Sequence, residues 1–194
     1  DLAKLDMRSG LERLAYAMII ILVATLTAWF MALILHLKPS DFPPLSLTLW
    51  QHILFRLLAS FCGVFGFSVM FNSPKELSAT AGIIGAIANT LRLELVDLAS
   101  LPPAAAAFIG ALTAGILASV LKSKIGYPRI SLTVPSIVIM VPGLYLYRAI
   151  YNLGVMSLQT SASWFAAAIL IILALPLGLI FARILTDKTF RYCT

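Results

Sequence analysis

Charge is what this sequence has least of: Asp, Glu, Lys and Arg make up 11% of its 194 residues, against about 25% in an ordinary globular domain. That scarcity excludes a soluble domain. Cysteine and histidine are scarcer still, with two of each. Cys62 lies inside an apolar run and Cys193 next to the C-terminus, a separation that offers neither a disulfide framework nor a metal-ligand spacing. His36 and His52 flank one short polar link, where imidazoles face water rather than ligate metal. Catalytic motifs are missing too. There is no His-Glu-x-x-His helix, Walker loop or paired acidic metal site, and Gly66-Phe67-Ser68 lacks the glycine that would complete a nucleophile elbow. The sequence therefore predicts no enzyme, no cofactor and no metal. The net charge of +6 does not point to nucleic acid, because the basic residues are scattered over short loops without a recognisable nucleic-acid-binding pattern.

What is there in abundance is apolar length. The chain is 61% hydrophobic, with a mean hydropathy of +0.99. Six runs approach the roughly 17 to 25 residues a helix needs to cross a bilayer, near 15–37, 50–71, 76–93, 103–121, 130–152 and 162–185. Lys38-Pro-Ser-Asp-Phe-Pro-Pro44, Asn72-Ser-Pro74, Leu101-Pro-Pro103 and Lys122-Ser-Lys-Ile-Gly126 supply turn chemistry between them. The fold class expected is all-α, a polytopic membrane helix bundle of six spans, with the lipid bilayer as its first partner. Placing the N-terminus inside puts Lys4, Arg8, Arg13, Lys75, Lys122, Lys124, Arg129, Arg183, Lys188 and Arg191 in inner segments, and only Lys38 and Arg92 in outer links. Cytoplasmic loops carry the positive excess, so both termini are expected in the cytoplasm of a cell with this chain in its plasma membrane. The opening run is too long for a signal peptide, and no small-residue cleavage site follows it.

The fifth span is unusual. Between Pro128 and Ala149 it holds Pro135 and the pair Pro142-Gly143. Proline removes a backbone donor and clashes with the preceding turn, so both sites are expected to break the helix near mid-membrane. Interrupted backbone is tolerated in lipid only where protein buries it or it lines a watery cavity, and transporters build solute sites from such breaks. Solute transport is the function this implies. Pro142-Gly143 would open a second half-helix whose free amides suit a carboxylate, with Tyr147 and Asn152 adding a hydroxyl and an amide. Asn89 and Arg92 stand one turn apart and can present an amide and a bidentate guanidinium to one cavity. For Arg92 the alternative is that it snorkels to the outer interface and pairs with Glu94 or Asp97. Tyr145 and Tyr147 serve equally as packing or interfacial tyrosines. Arg148 also falls within the fifth span, and a buried intramembrane charge is a functional candidate by default. Rows of small residues, Ser78, Gly82, Ala86 and Thr90 beside Ala81, Gly85 and Asn89, and Ala106, Gly110, Ala114 and Ala118, read as seams for close helix packing.

From Gly66 to Ala149 these residues resemble the C-terminal half-domain of the threonine/serine exporter family, which includes two-subunit members associated with succinate export. The resemblance rests on Phe71-Asn72-x-Pro74, the Gly85 and Arg92 spacing, and the series Pro128, Pro135, Pro142-Gly143, Tyr147 and Ala149. Where some relatives carry a histidine three residues before the arginine, this chain has Asn89. Asp1-Leu2, Ser9-Gly10-Leu11 and Arg13-Leu14 resemble the end of the family's other half. The resemblance thus implies two parts, 1–38 as the last helix of an N-terminal half-domain and 39–194 as a five-helix C-terminal half-domain. It implies a missing N-terminal half as partner, and further copies of the chain as another partner class. Overlaying Asp1–Leu35 on Asn152–Thr186 without gaps matches Ala15 with Ala166, Ile20 with Ile171 and Phe30 with Phe181. The first run travels outward and the last inward, as two inverted five-helix repeats require. The function implied is proton-coupled export of small amino acids such as threonine and serine by alternating access. Succinate export is the rival, which two positive sites would favour, and a non-transporting membrane scaffold is the alternative of another class.

Overall fold

A computed structural model describes residues 7–36 and 47–187, and every described element is helical: α1 (Met7–Ile34), α2 (Leu49–Met70), α3 (Lys75–Asp97), α4 (Pro103–Ile125), α5 (Arg129–Val138), α6 (Gly143–Gly154) and α7 (Leu158–Thr186). The expected link from Lys38 to Pro44, with Lys4, Lys188 and Arg191, lies outside the described residues. Helices α2, α3, α4 and α7, together with the stretch Arg129–Gly154, are each long and apolar enough to cross a membrane, and α1 contributes the shorter apolar segment Val23–Ile34. The protein is a multi-pass membrane helix bundle.

Helices α1 and α7 start earlier than the sequence reading has them, at Met7 and Leu158, and three further differences have a physical reason. Helix α3 continues to Asp97 instead of ending near 93, because Arg56 of α2 neutralises the carboxylates of Glu94 (2.8 Å) and Asp97 in its last turns. Helix α4 continues through the expected link to Ile125 and stops at Gly126, whose φ of 75° closes it with a left-handed cap. The fifth span is two helices, but Pro135 does not break it. Pro135 sits inside α5, and the interruption covers only the residues between Val138 and Gly143. A proline ring clashes with the carbonyl four residues before it. For Pro142 that residue is Val138, where α5 stops. For Pro135 it is Ser131, in the first turn, and both residues line an open cavity of about 460 Å3 where the freed carbonyl can be hydrated.

The chain clusters into two compact units, Leu45–Pro142 with Ala166–Thr194, and Asp1–Pro44 with Gly143–Phe165. In the larger unit α3 is central and packs on α2, α4 and α5. Its small-residue rows are buried throughout. A Cβ on Gly85 would lie 2.5 Å from the Val64 side chain and 3.1 Å from the Ser136 carbonyl, and one on Gly82 would lie 2.8 Å from the Phe61 ring. The matching row of α4 is buried as well, with Gly110 so placed that a Cβ would come 3.2 Å from the Ala88 carbonyl. Close approach in lipid is worth van der Waals contact that larger side chains would forbid. In the smaller unit α1 and α6 pack together through Gly154, where a Cβ would lie 2.6 Å from the Trp29 indole.

Candidate functional site

The interrupted stretch is finished by short turns, with the Met140 amide donating to Ile137 (2.9 Å) and the Val141 amide to Val138 (3.1 Å). Helix ends leave carbonyls without helical partners, and here one of them meets a cation. Arg92 of α3 donates from Nη1 to the Met140 carbonyl at 3.2 Å. The guanidinium thus reaches the break itself, and the Met140 side chain is fully buried beside it. The acids that a snorkelling Arg92 was expected to meet, Glu94 and Asp97, are engaged by Arg56 of α2.

Asn89 is 5% exposed and donates from Nδ2 to the Ser60 hydroxyl of α2 at 2.9 Å, while its Oδ1 is buried with no hydrogen-bond partner among the described residues. The two residues read as sharing one helix face are therefore engaged by different neighbours, Asn89 by α2 and Arg92 by the break. Pro142 is buried at the end of the larger unit. Gly143, Tyr147 and Asn152 fall in the smaller one. Gly143 opens α6, is exposed, and a Cβ there would meet nothing within 4 Å. Tyr147 lies beside Tyr151, ring centroids 6.4 Å apart. Asn152 spends its amide on its own helix, donating to the Arg148 carbonyl at 2.7 Å. Arg148 stacks over the Trp164 ring at 4.8 Å, a cation–π contact that accounts for its charge inside an apolar span.

A second grouping was not anticipated as a site. Phe71, Asn72 and Pro74, after α2, line the 460 Å3 cavity together with Tyr127, Ser131 and Pro135. Asn72 holds a φ of 59°, a left-handed turn that asparagine adopts readily. The motif around Asn72 and the proline series of α5, separate in the sequence, are one place in the structure. The signal that could have joined them was their common membership of one family pattern.

The pattern is matched as a whole. A family model described as Threonine/Serine exporter, ThrE, covers residues 56–185. The chain belongs to the threonine/serine exporter family. Neither a curated protein nor a solved structure matches it. The match starts inside α2 and ends inside α7, so it takes in Arg92, the interrupted helix and the Asn72 turn, and α1 lies before it. The family is one of transporters rather than enzymes, and the chain is an exporter-type membrane protein.

Proposed function

We propose that this exporter moves small carboxylate-bearing solutes, threonine and serine first, out of the cell across the plasma membrane, coupled to protons and by alternating access. The observation that carries this reading is the Arg92 guanidinium at the Met140 carbonyl, a fixed cation at interrupted backbone within a span. A neutral carbonyl is a modest acceptor. A solute carboxylate accepts two parallel, charge-assisted hydrogen bonds from the same planar fork and is the stronger partner. Solute binding then exchanges one partner of Arg92 for another and leaves the break free to rearrange. Asn89 sits one turn away with an unpartnered Oδ1, suited to the ammonium group that an amino acid carries and a dicarboxylate lacks. Pro142 in the larger unit, and Gly143, Tyr147 and Asn152 in the smaller one, are further solute contacts on this reading, each testable by itself. On this reading both termini are cytoplasmic, and the chain works with an N-terminal half-domain, which with α1 completes an inverted repeat, and with further copies of itself.

Counterflow in liposomes containing the intact protein tests it. Labelled threonine or serine should exchange against the same unlabelled solute, and a proton gradient should drive their accumulation. Exchange of succinate in place of either amino acid would replace this substrate class with dicarboxylates. Exchange of none of them would favour a scaffold.

A further inference from the structure

A cavity of about 590 Å3 lies at one end of the larger unit, where the last turn of α4, the start of α5 and the last turns of α7 converge. Its rim carries Lys122, Arg129 and Arg183 against a single carboxylate, Asp187. Asp187, just past the end of α7, stands 3.8 Å from Arg183, and one carboxylate among three cations leaves the cavity a positive excess. Arg129 is held by long contacts, Nη1 to the Thr186 hydroxyl and Nη2 to the Leu179 carbonyl, both at 3.4 Å. Its guanidinium rests against Gly115 of α4, where a Cβ would lie 3.0 Å from Nη2. Below this rim the walls are Ile130, Val134 and Ile180.

We infer that this cavity binds the phosphate group of an anionic membrane lipid, with an acyl chain along the apolar wall. Two features point to a lipid rather than to a soluble anion. The cations sit at helix ends, where the polar headgroup region begins, and the same cavity is lined by the apolar side chains Ile130 and Val134 of α5 and Ile180 of α7, which suit an acyl chain. Arg129, as the first residue of α5, also places the positive end of that helix beside the bound phosphate. A solute in transit needs weak holding. Three cations around one phosphate diester hold it as part of the structure. The inference is independent of which solute is exported.

The test uses the purified protein in detergent, incubated with equal amounts of phosphatidylglycerol and phosphatidylcholine of matched chains, with retained lipid counted by native mass spectrometry. Phosphatidylglycerol should be retained in preference by about tenfold or more, since each basic side chain near such a headgroup favours it several-fold. Arg183 is 54% exposed, so Arg183→Gln leaves the packing intact and should cut the preference several-fold. Lys122→Gln combined with Arg183→Gln should abolish it. Lys75→Gln, an exposed cation at the start of α3, should leave it unchanged. Equal retention of the two lipids, or a preference unaffected by the cavity variants, would overturn the inference. Displacement of the lipid by millimolar inorganic phosphate would assign the cavity to a soluble oxyanion instead, and overturn the lipid source.

Discussion

Arg92 is the residue on which most depends, and its surroundings explain why its role was only half legible. The sequence shows an arginine near the end of a span, one turn from an amide. It cannot show that Arg56, 38 residues from Glu94, takes that carboxylate first. Pairing across elements is a tertiary outcome, and the nearer acids in sequence are the poorer guide. If Arg92 receives the solute carboxylate through its planar fork, Arg92→Lys keeps the charge and loses the second parallel bond. A charge-assisted hydrogen bond contributes about 1.5–3 kcal/mol. Transport by Arg92→Lys should therefore fall at least about tenfold, with normal membrane insertion and helix content. Initial rates in liposomes, beside circular dichroism of the same sample, check this. Unchanged affinity and rate would leave Arg92 as a structural cap on the break and remove it from solute binding.

At the level of the element, the interruption of the fifth span was legible in outline and misplaced in detail. Two prolines looked equivalent as breakers. They differ in what stands four residues earlier: Ser131 in the first turn of α5, lining an open cavity, for Pro135, and Val138 at the end of α5 for Pro142. Helix α7 carries Pro176 without interruption, so proline alone does not end a helix here. The boundaries of α3 and α4 were set short for a related reason. Charged residues read as loop when their partners are out of view, and Glu94 and Lys122 lie within helices. Pro142→Ala restores an amide and removes the clash at Val138, so α5 should lengthen across the gap. Spin labels at positions 138 and 144 should then report a helical separation. Transport should fall well before folded yield does. Gly143→Ala keeps the backbone amide offered to the solute, and its added methyl meets open space, so it should transport within about twofold of the parent, a change of about 0.5 kcal/mol or less. Loss of transport in Gly143→Ala with Pro142 intact would shift the hinge from the proline to the glycine.

For the whole molecule, hydropathy carried most of the architecture, because lipid leaves few alternatives to a helix of bilayer length. What it does not carry is which helices share a compact unit, since apolar faces look alike to a count of hydrophobic residues. The orientation drawn from loop charge makes a direct prediction. A cysteine introduced at Asp41 in intact cells, with Cys62 replaced, should react with an impermeant maleimide added outside, and tags at both chain ends should be protected until the cells are opened. Labelling of Asp41 only after opening would invert the bundle. One property of the larger unit bears on how such a protein moves. Helix α3 touches α2 and α5 through Gly85, and α4 through Gly110, with backbone or stiff side chains on the far side. A joint without a compressible layer behaves as a keyed shaft rather than a lubricated bearing. Rotation of α3 must drag its neighbours with it, so any stroke that changes which side of the membrane is open carries them as one block. If export proceeds by alternating access, the bending should fall in the residues between Val138 and Gly143, where α5 gives way to α6.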